Sequence, residues 1–242
     1  MTTIPANLQA VQDRIAAACA AARRDPRSVR LLAVSKTWPA ARVRAAAACG
    51  LRAFGENYVQ EALTKIATLA DLGLEWHFIG PLQSNKTRPV AENFAWAHSV
   101  ERLKIAERLS VQRPAGLAPL QVCIQVNVSG EASKSGCAPD EAAALAAAVA
   151  QLPNLKLRGF MAIPEPTDDD ALLRSRFRRV RDILASLNAG GMALDTLSMG
   201  MSHDLEAAIA EGATIVRIGT ALFGERTYHP PTPSPSLAGG ES

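Results

Sequence analysis

The sequence predicts an α/β fold, a single (β/α)8 barrel of the TIM type with an extra N-terminal helix. Three observations carry that prediction. Eight short apolar runs alternate with helix-patterned segments over roughly 200 residues. Several of those runs are continuously apolar, as strands buried on both faces are. The first run is not followed by the Gly-x-Gly-x-x-Gly turn that an open doubly wound sheet would carry there. A length of 242 residues suits one such barrel.

Leu8, Val11, Ile15 and Cys19 recur at helical spacing, so the chain opens with an amphipathic helix that Asp25-Pro26 closes. Strands are expected over 30–35, 52–55, 75–79, 96–99, 120–126, 156–161, 196–199 and 214–218. The segments 40–49, 57–72, 85–92, 101–111, 138–151, 168–187 and 203–211 carry helical patterns. The barrel is expected to occupy residues 1–229. Residues 230–242 are rich in Pro, Ser and Gly, lack a periodic apolar pattern, and are expected to be a disordered tail.

Bulk properties exclude several classes. The composition, 48% hydrophobic and 20% charged, is that of a globular chain. A net charge of +3 is too weak to imply nucleic acid. Arg174, Arg178 and Arg181 share one helix face, which reads as a solvated outer surface. The four cysteines form no CxxC pair and no Cys/His cluster with zinc spacing, so no metal is expected. Reduced thiols, the absence of a signal-peptide pattern and an apolar run (142–150) too short for a bilayer predict a cytoplasmic protein without a membrane partner.

Function in a barrel gathers at the carboxyl ends of the strands. Lys36 ends the run Leu31-Leu32-Ala33-Val34-Ser35. Apolar walls there would lower its pKa, and a neutral amine is what a carbonyl needs to form an imine. Taken alone, such a lysine is more often structural, reaching water or a carboxylate such as Glu56. Ser202 follows Met199-Gly200-Met201 in the loop after strand seven and reads as a helix N-cap with free amides behind it. Gly219 and Thr220 follow strand eight. Loops seven and eight are the recurrent phosphate site of barrels, and a glycine-and-hydroxyl turn in both is more specific than either alone. Arg217 alternates with Val216 and Ile218 and should face inward, where it needs an acceptor: a carboxylate or a pyridine nitrogen. His77 is a lone strand histidine, which is more often a hydrogen-bonded core residue than a catalyst.

Together these residues resemble a known family. Val34-Ser35-Lys36, Phe54-Gly55-Glu56-Asn57-Tyr58-Val59-Gln60-Glu61, the stretch 76–86 from Trp76 to Lys86, Gly159-Phe160-Met161, Ser198-Met199-Gly200-Met201-Ser202 and the stretch 216–224 resemble the pyridoxal phosphate homeostasis protein family. The resemblance runs from about residue 8 to Tyr228. It implies a fold similar to the N-terminal domain of alanine racemase and pyridoxal 5′-phosphate (PLP) as cofactor, held as a Schiff base on Lys36. It implies that Ser202, Gly219 and Thr220, with amides including that of Met201, hold the phosphate, and that Arg217 meets the pyridine nitrogen. Asn57, His77 and Met161 would line the ring pocket, and Lys134 would be a secondary PLP contact.

The same residues limit the chemistry. An electron sink works best with a protonated ring nitrogen, and Arg217, a donor only, disfavours that proton. Alanine racemases with the same arginine rely on a lysine and a tyrosine as bases, the tyrosine coming from a subunit interface that a second domain helps to build. This chain has two tyrosines, Tyr58 and Tyr228, and no length for such a domain. The expectation is a monomeric PLP carrier that exchanges cofactor by transimination, with apo PLP-enzymes as recipients and no robust turnover. A weak amino-acid racemase and a cofactor-free Schiff-base lyase are the alternatives.

Overall fold

The computed structural model describes residues 3–130 and 135–225. Lys134, Tyr228 and the 230–242 tail lie outside the described residues. In chain order the elements are α1 (Ile4–Ala21), β1 (Arg30–Val34), α2 (Ala40–Ala48), β2 (Ala53–Glu56), α3 (Val59–Thr68), β3 (Glu75–Phe78), α4 (Thr87–Asn93), β4 (Trp96–Val100) and α5 (Leu103–Gln112). They continue with β5 (Leu120–Gln125), α6 (Ala142–Ala150), β6 (Leu155–Met161), α7 (Asp170–Ala189), β7 (Thr196–Ser198), α8 (Leu205–Ala210), β8 (Ile215–Ile218) and α9 (Thr220–Phe223). The eight strands are parallel and close in sequence order, with β8 returning to β1 in the register Leu32↔Arg217 and Ala33↔Ile218. The predicted (β/α)8 barrel with an added N-terminal helix is the observed fold.

Alternation sorts each strand into two faces. Ala33, Phe54, Phe78, Phe160, Val216 and Ile218 point outward into one large core shared with the helices. Leu32, Val34, Ala53, Ile79 and Ile215 form a separate apolar cluster inside the barrel, and Trp96, Cys123 and Met161 form another. Beside them the barrel interior buries His77, His98, Ser198 and Arg217, where such barrels usually place branched aliphatics.

The extra helix α1 buries Ile4, Leu8, Val11, Ile15 and Cys19 and lies against α8 and α9. Arg14 on α1 holds Glu206 on α8 through two bonds of 2.8 and 2.9 Å, and Asn7 donates to the Leu222 carbonyl at 3.0 Å. This helix therefore buttresses the elements that follow β7 and β8. The arginine face of α7 is not merely solvated. Arg178 and Arg181 converge on the largely buried Glu211 at the end of α8, at 2.9 and 3.0 Å, and clamp the two helices together.

Boundaries move where side chains compete for the backbone. The helix expected over 203–211 begins only at Leu205, because the Asp204 carboxylate takes the Met201 amide and folds 201–204 into a turn. The helix expected from Asp168 begins at Asp170, with Asp169 as its N-cap accepting from the Leu172 amide at 3.0 Å. All four cysteines are free. Among the described residues no helix is long and apolar enough to cross a membrane.

Candidate functional site

A cavity of about 230 Å³ opens at the carboxyl end of the barrel. It is smaller than the roughly 300–1,000 Å³ of pockets for drug-sized ligands, so it suits a compact one. Val34, Ile79 and Ile163 supply apolar wall, and Lys36, Asn57, Ser202, Arg217 and Thr220 supply polar groups. Residues from the ends of β1, β2, β3, β6, β7 and β8 thus meet in one place, although they span most of the chain.

Lys36 stands two residues beyond β1. Its successor Thr37 has φ of 68°, the left-handed region that costs a β-branched residue most. The conformation is held by a bond of 2.5 Å from the Thr37 amide to Glu61 Oε1. Glu61 in turn accepts from Lys65 at 2.6 Å, and Lys65 also reaches Glu56 and the Ser35 carbonyl, both at 2.7 Å. Glu56 takes a further bond from the Ser35 hydroxyl at 2.6 Å. Burial raises the Glu56 carboxyl above its ordinary range, against the lowering effect of Lys65 and Ser35. This buried cluster anchors the backbone on both sides of Lys36 from beneath.

Asn57 follows β2 and places a buried side-chain oxygen, Oδ1, with no hydrogen-bond partner among the described residues. Its backbone packs on Gly80, where an added Cβ would lie 2.3 Å from the Asn57 carbonyl oxygen. Only glycine allows the loop after β3 to come so close. The Ser99 hydroxyl fixes that loop by donating to the Gly80 carbonyl at 2.5 Å.

The anion-type corner is built from the loops after β7 and β8. Gly200 has φ of 95°, and a Cβ there would meet Ala208 at 2.7 Å. The Ser202 hydroxyl accepts from the Ala221 amide at 3.4 Å. It thus reaches across to α9 and does not cap α8, whose first-turn neighbour is Asp204. Met201 lines the cavity, but its amide is bonded to Asp204. Gly219 and Thr220 open α9, whose first amides have no acceptor within the helix.

Arg217 lines the cavity and faces inward, as alternation predicts. The residues it meets are not carboxylates. Its Nη1 donates to the Ser198 carbonyl and, at 3.0 Å, to the Ser198 hydroxyl, and its Nη2 donates to the Ala162 carbonyl at 2.9 Å. Burial pushes its pKa down to about 10, so it remains a cation at neutral pH.

Of the residues predicted for the site, Lys36, Asn57, Met201, Ser202, Arg217, Gly219 and Thr220 line the cavity together. His77 and Met161 do not line it. Both point into the barrel, where His77 is bonded to Glu75 and His98, and Met161 packs with Trp96 and Cys123. Asn127 accepts from the Ser129 and Gly130 amides and shapes its own loop. Lys134 lies outside the described residues. Sequence reading missed His98, although its alternation with Trp96 marks it as inward. It also missed Lys65, which no local signal distinguishes from a surface lysine.

A closed parallel barrel with a lysine after β1, an arginine in β8 and hydroxyls after β7 and β8 is the barrel of the alanine racemase type. The family model described as alanine racemase, N-terminal domain, matches residues 6–227. The pyridoxal phosphate homeostasis protein of Pseudomonas aeruginosa is 69% identical over 231 residues, covering 96% of this chain and 99% of that protein. The protein of the same name from Escherichia coli K12 is 54% identical over 231 residues, covering 94% and 99%. The chain therefore belongs to the pyridoxal phosphate homeostasis protein family. Among solved structures, PipY of Synechococcus elongatus with PLP bound matches at TM-score 0.77 and 42% identity, covering 87% of this chain and all of that one. Alanine racemase of Corynebacterium glutamicum, 19% identical with TM-score 0.63 and 62% of its length covered, shares the fold.

Proposed function

We propose that this chain binds PLP in the cavity above Arg217 and serves intracellular PLP homeostasis as a carrier. The observation that carries the reading is the meeting, in one small cavity, of a lysine, an inward arginine, an unpartnered buried amide oxygen and two hydroxyls. That donor set fits the group. The Ser202 and Thr220 hydroxyls and the Thr220 amide suit a phosphate, Val34, Ile79 and Ile163 suit a flat ring, and Asn57 Oδ1 suits a polar ring substituent. PLP supplies an aldehyde and an electron-withdrawing ring when bound. Lys36 Nζ is the group to hold that aldehyde as a Schiff base, forming the C=N bond with loss of water. A second amine would displace Lys36 by transimination, adding to the C=N carbon and expelling the Lys36 amine, with apo PLP-enzymes as the recipients. The name of the relatives and the PLP in PipY support this reading. His77 and Met161 serve it from the layer beneath, not as wall residues. We place the protein in the cytoplasm as a monomer.

The racemase alternative draws on the family model. Against it stands the site itself: Tyr58 is 57% exposed, and Arg217, spent on carbonyls and Ser198, opposes a proton on the ring nitrogen.

The test is an absorbance spectrum of the PLP-loaded protein with borohydride trapping and peptide mapping. The expected result is a visible band lost on reduction, the label on the Lys36 peptide, and no band in Lys36→Ala. A label on another lysine overturns the assignment. Racemisation of an amino-acid panel at ordinary enzymatic rates overturns the carrier reading.

A further inference from the structure

The inside of the barrel contains one unbroken line of polar contacts. It starts at the amino-terminal end of the strands, where Arg30 on β1 meets Glu75 on β3 at 2.8 Å. Glu75 Oε1 lies 2.5 Å from His77 Nε2, and His77 Nδ1 lies 2.9 Å from His98 Nε2 on β4. His98 Nδ1 lies 2.8 Å from Ser198 Oγ on β7, which is 3.0 Å from Arg217 Nη1 at the cavity. His77, His98 and Ser198 are fully buried.

The two ends fix the direction of every hydrogen in the line. Arg217 can only donate, so Ser198 Oγ accepts from it and keeps its own hydrogen available for His98 Nδ1. Ionised Glu75 can only accept, so His77 Nε2 carries a hydrogen. His98 Nε2 then donates to His77 Nδ1. With both rings neutral, each contact has one donor and one acceptor. A proton added to either ring forces a rearrangement along the line.

The charges that face the rings are Glu75 from β3, Arg30 from β1 and Arg217 from β8. The ionisation states agree with this order. The His77 hydrogen bond holds the Glu75 carboxyl down to about 2. Burial lowers both imidazoles, His98 well below the usual histidine range.

We propose that Glu75, His77, His98 and Ser198 are positioning residues for Arg217. They form a one-directional relay that sets which guanidinium N–H groups the protein holds and which face the cavity. The relay itself stands on the contacts of the protein. Its consequence, a donor of set orientation beneath the ring nitrogen, rests on the PLP reading above. A catalytic role is not assigned to these residues, since none of them lines the cavity except Arg217.

Two measurements test it. The first uses PLP-free wild-type protein labelled with 15N-histidine, in long-range 1H–15N NMR near neutral pH. The chain has four histidines, which keeps assignment simple. Both His77 and His98 are expected as neutral Nε2–H tautomers. An Nδ1–H tautomer or an imidazolium at either ring overturns the relay, with no dependence on PLP or on any variant. The second is a double-mutant cycle on Glu75→Gln and Ser198→Ala, two residues separated by both histidines. Each single change is expected to weaken PLP binding about three- to tenfold and to displace the absorption maximum of the bound cofactor at equal saturation. The double variant should bind no more weakly than the weaker single one, because residues of one network couple and distant independent ones add. Multiplicative losses, or unchanged spectra in folded variants, overturn the positioning role. Wild-type protein that binds no PLP overturns the proposed function instead, and the NMR result still decides the relay.

Discussion

Arg217 shows what a single residue contributes to this site. Its inward direction follows from its place between Val216 and Ile218. Its partners do not, because Ser198 and Ala162 belong to other strands and reach it only when the barrel closes. The guanidinium is both a wall of the cavity and a tie across the floor. Arg217→Met should therefore destabilise the fold as well as empty the site. It removes charge-assisted hydrogen bonds to the buried Ala162 carbonyl and to Ser198, at about 1–3 kcal/mol each. Urea unfolding should show a total loss of about 2–5 kcal/mol with unchanged m. A variant as stable as the wild type would mean that those acceptors find other partners. Thr37 makes the complementary point. Nothing in the sequence marks it for a left-handed backbone; the turn closed by the Trp38 amide on the Ser35 carbonyl at 3.1 Å and the bond to Glu61 on α3 hold it there.

At the scale of elements, α3 does more than cover β2 and β3. It delivers Lys65 to the buried Glu56 and the partly exposed Glu61, below the turn that carries Lys36. Lys65 is 4% exposed and Glu56 fully buried. Removing one partner of such a pair leaves an uncompensated charge, typically at 3–5 kcal/mol. Lys65→Met should show a loss of about that size by chemical denaturation. It should also raise the Glu56 carboxyl further, since Lys65 is a lowering influence on it. The double variant Lys65→Met/Glu56→Gln should recover part of the loss. A single variant that is at least as stable as the double would rule out the buried pair as the cause. The existence and order of the eight strands and of α1 to α8 were legible from periodicity, whereas the single turn of α9 after β8 was not. Their ends were less so: α8 begins late because Asp204 bonds the Met201 amide, a competition that hydrophobic pattern does not encode.

At the scale of the whole molecule, the barrel interior couples stability to pH. His98 is fully buried with its pKa depressed, whereas an unfolded chain takes up that proton near 6.5. Below that pH the unfolded state binds more protons than the folded one. Stability should then fall by about 1.4 kcal/mol per pH unit for this histidine, starting near 6.5 and continuing downward. Glu75 adds a second loss at lower pH. Its carboxyl is depressed from 4.5 to about 2, so its contribution is complete above 4.5 and vanishes as pH falls towards 2. Urea midpoints measured across pH should decline in both windows. The gap between wild type and Glu75→Gln should close in the lower one. Stability that stays flat from pH about 8 to about 5 would contradict neutral buried histidines.

Sequence alone determined the closed barrel, the extra helix, and the convergence of Lys36, Asn57, Ser202, Arg217 and Thr220 at one end, because strand periodicity and strand-end position are local properties. It did not determine the polar line from Glu75 to Arg217, or that His77 and Met161 lie beneath the cavity and not around it. Those depend on which inward side chains share a layer. That is decided by strand register and barrel closure, which bring β3, β4, β7 and β8 to one interior only in the folded molecule.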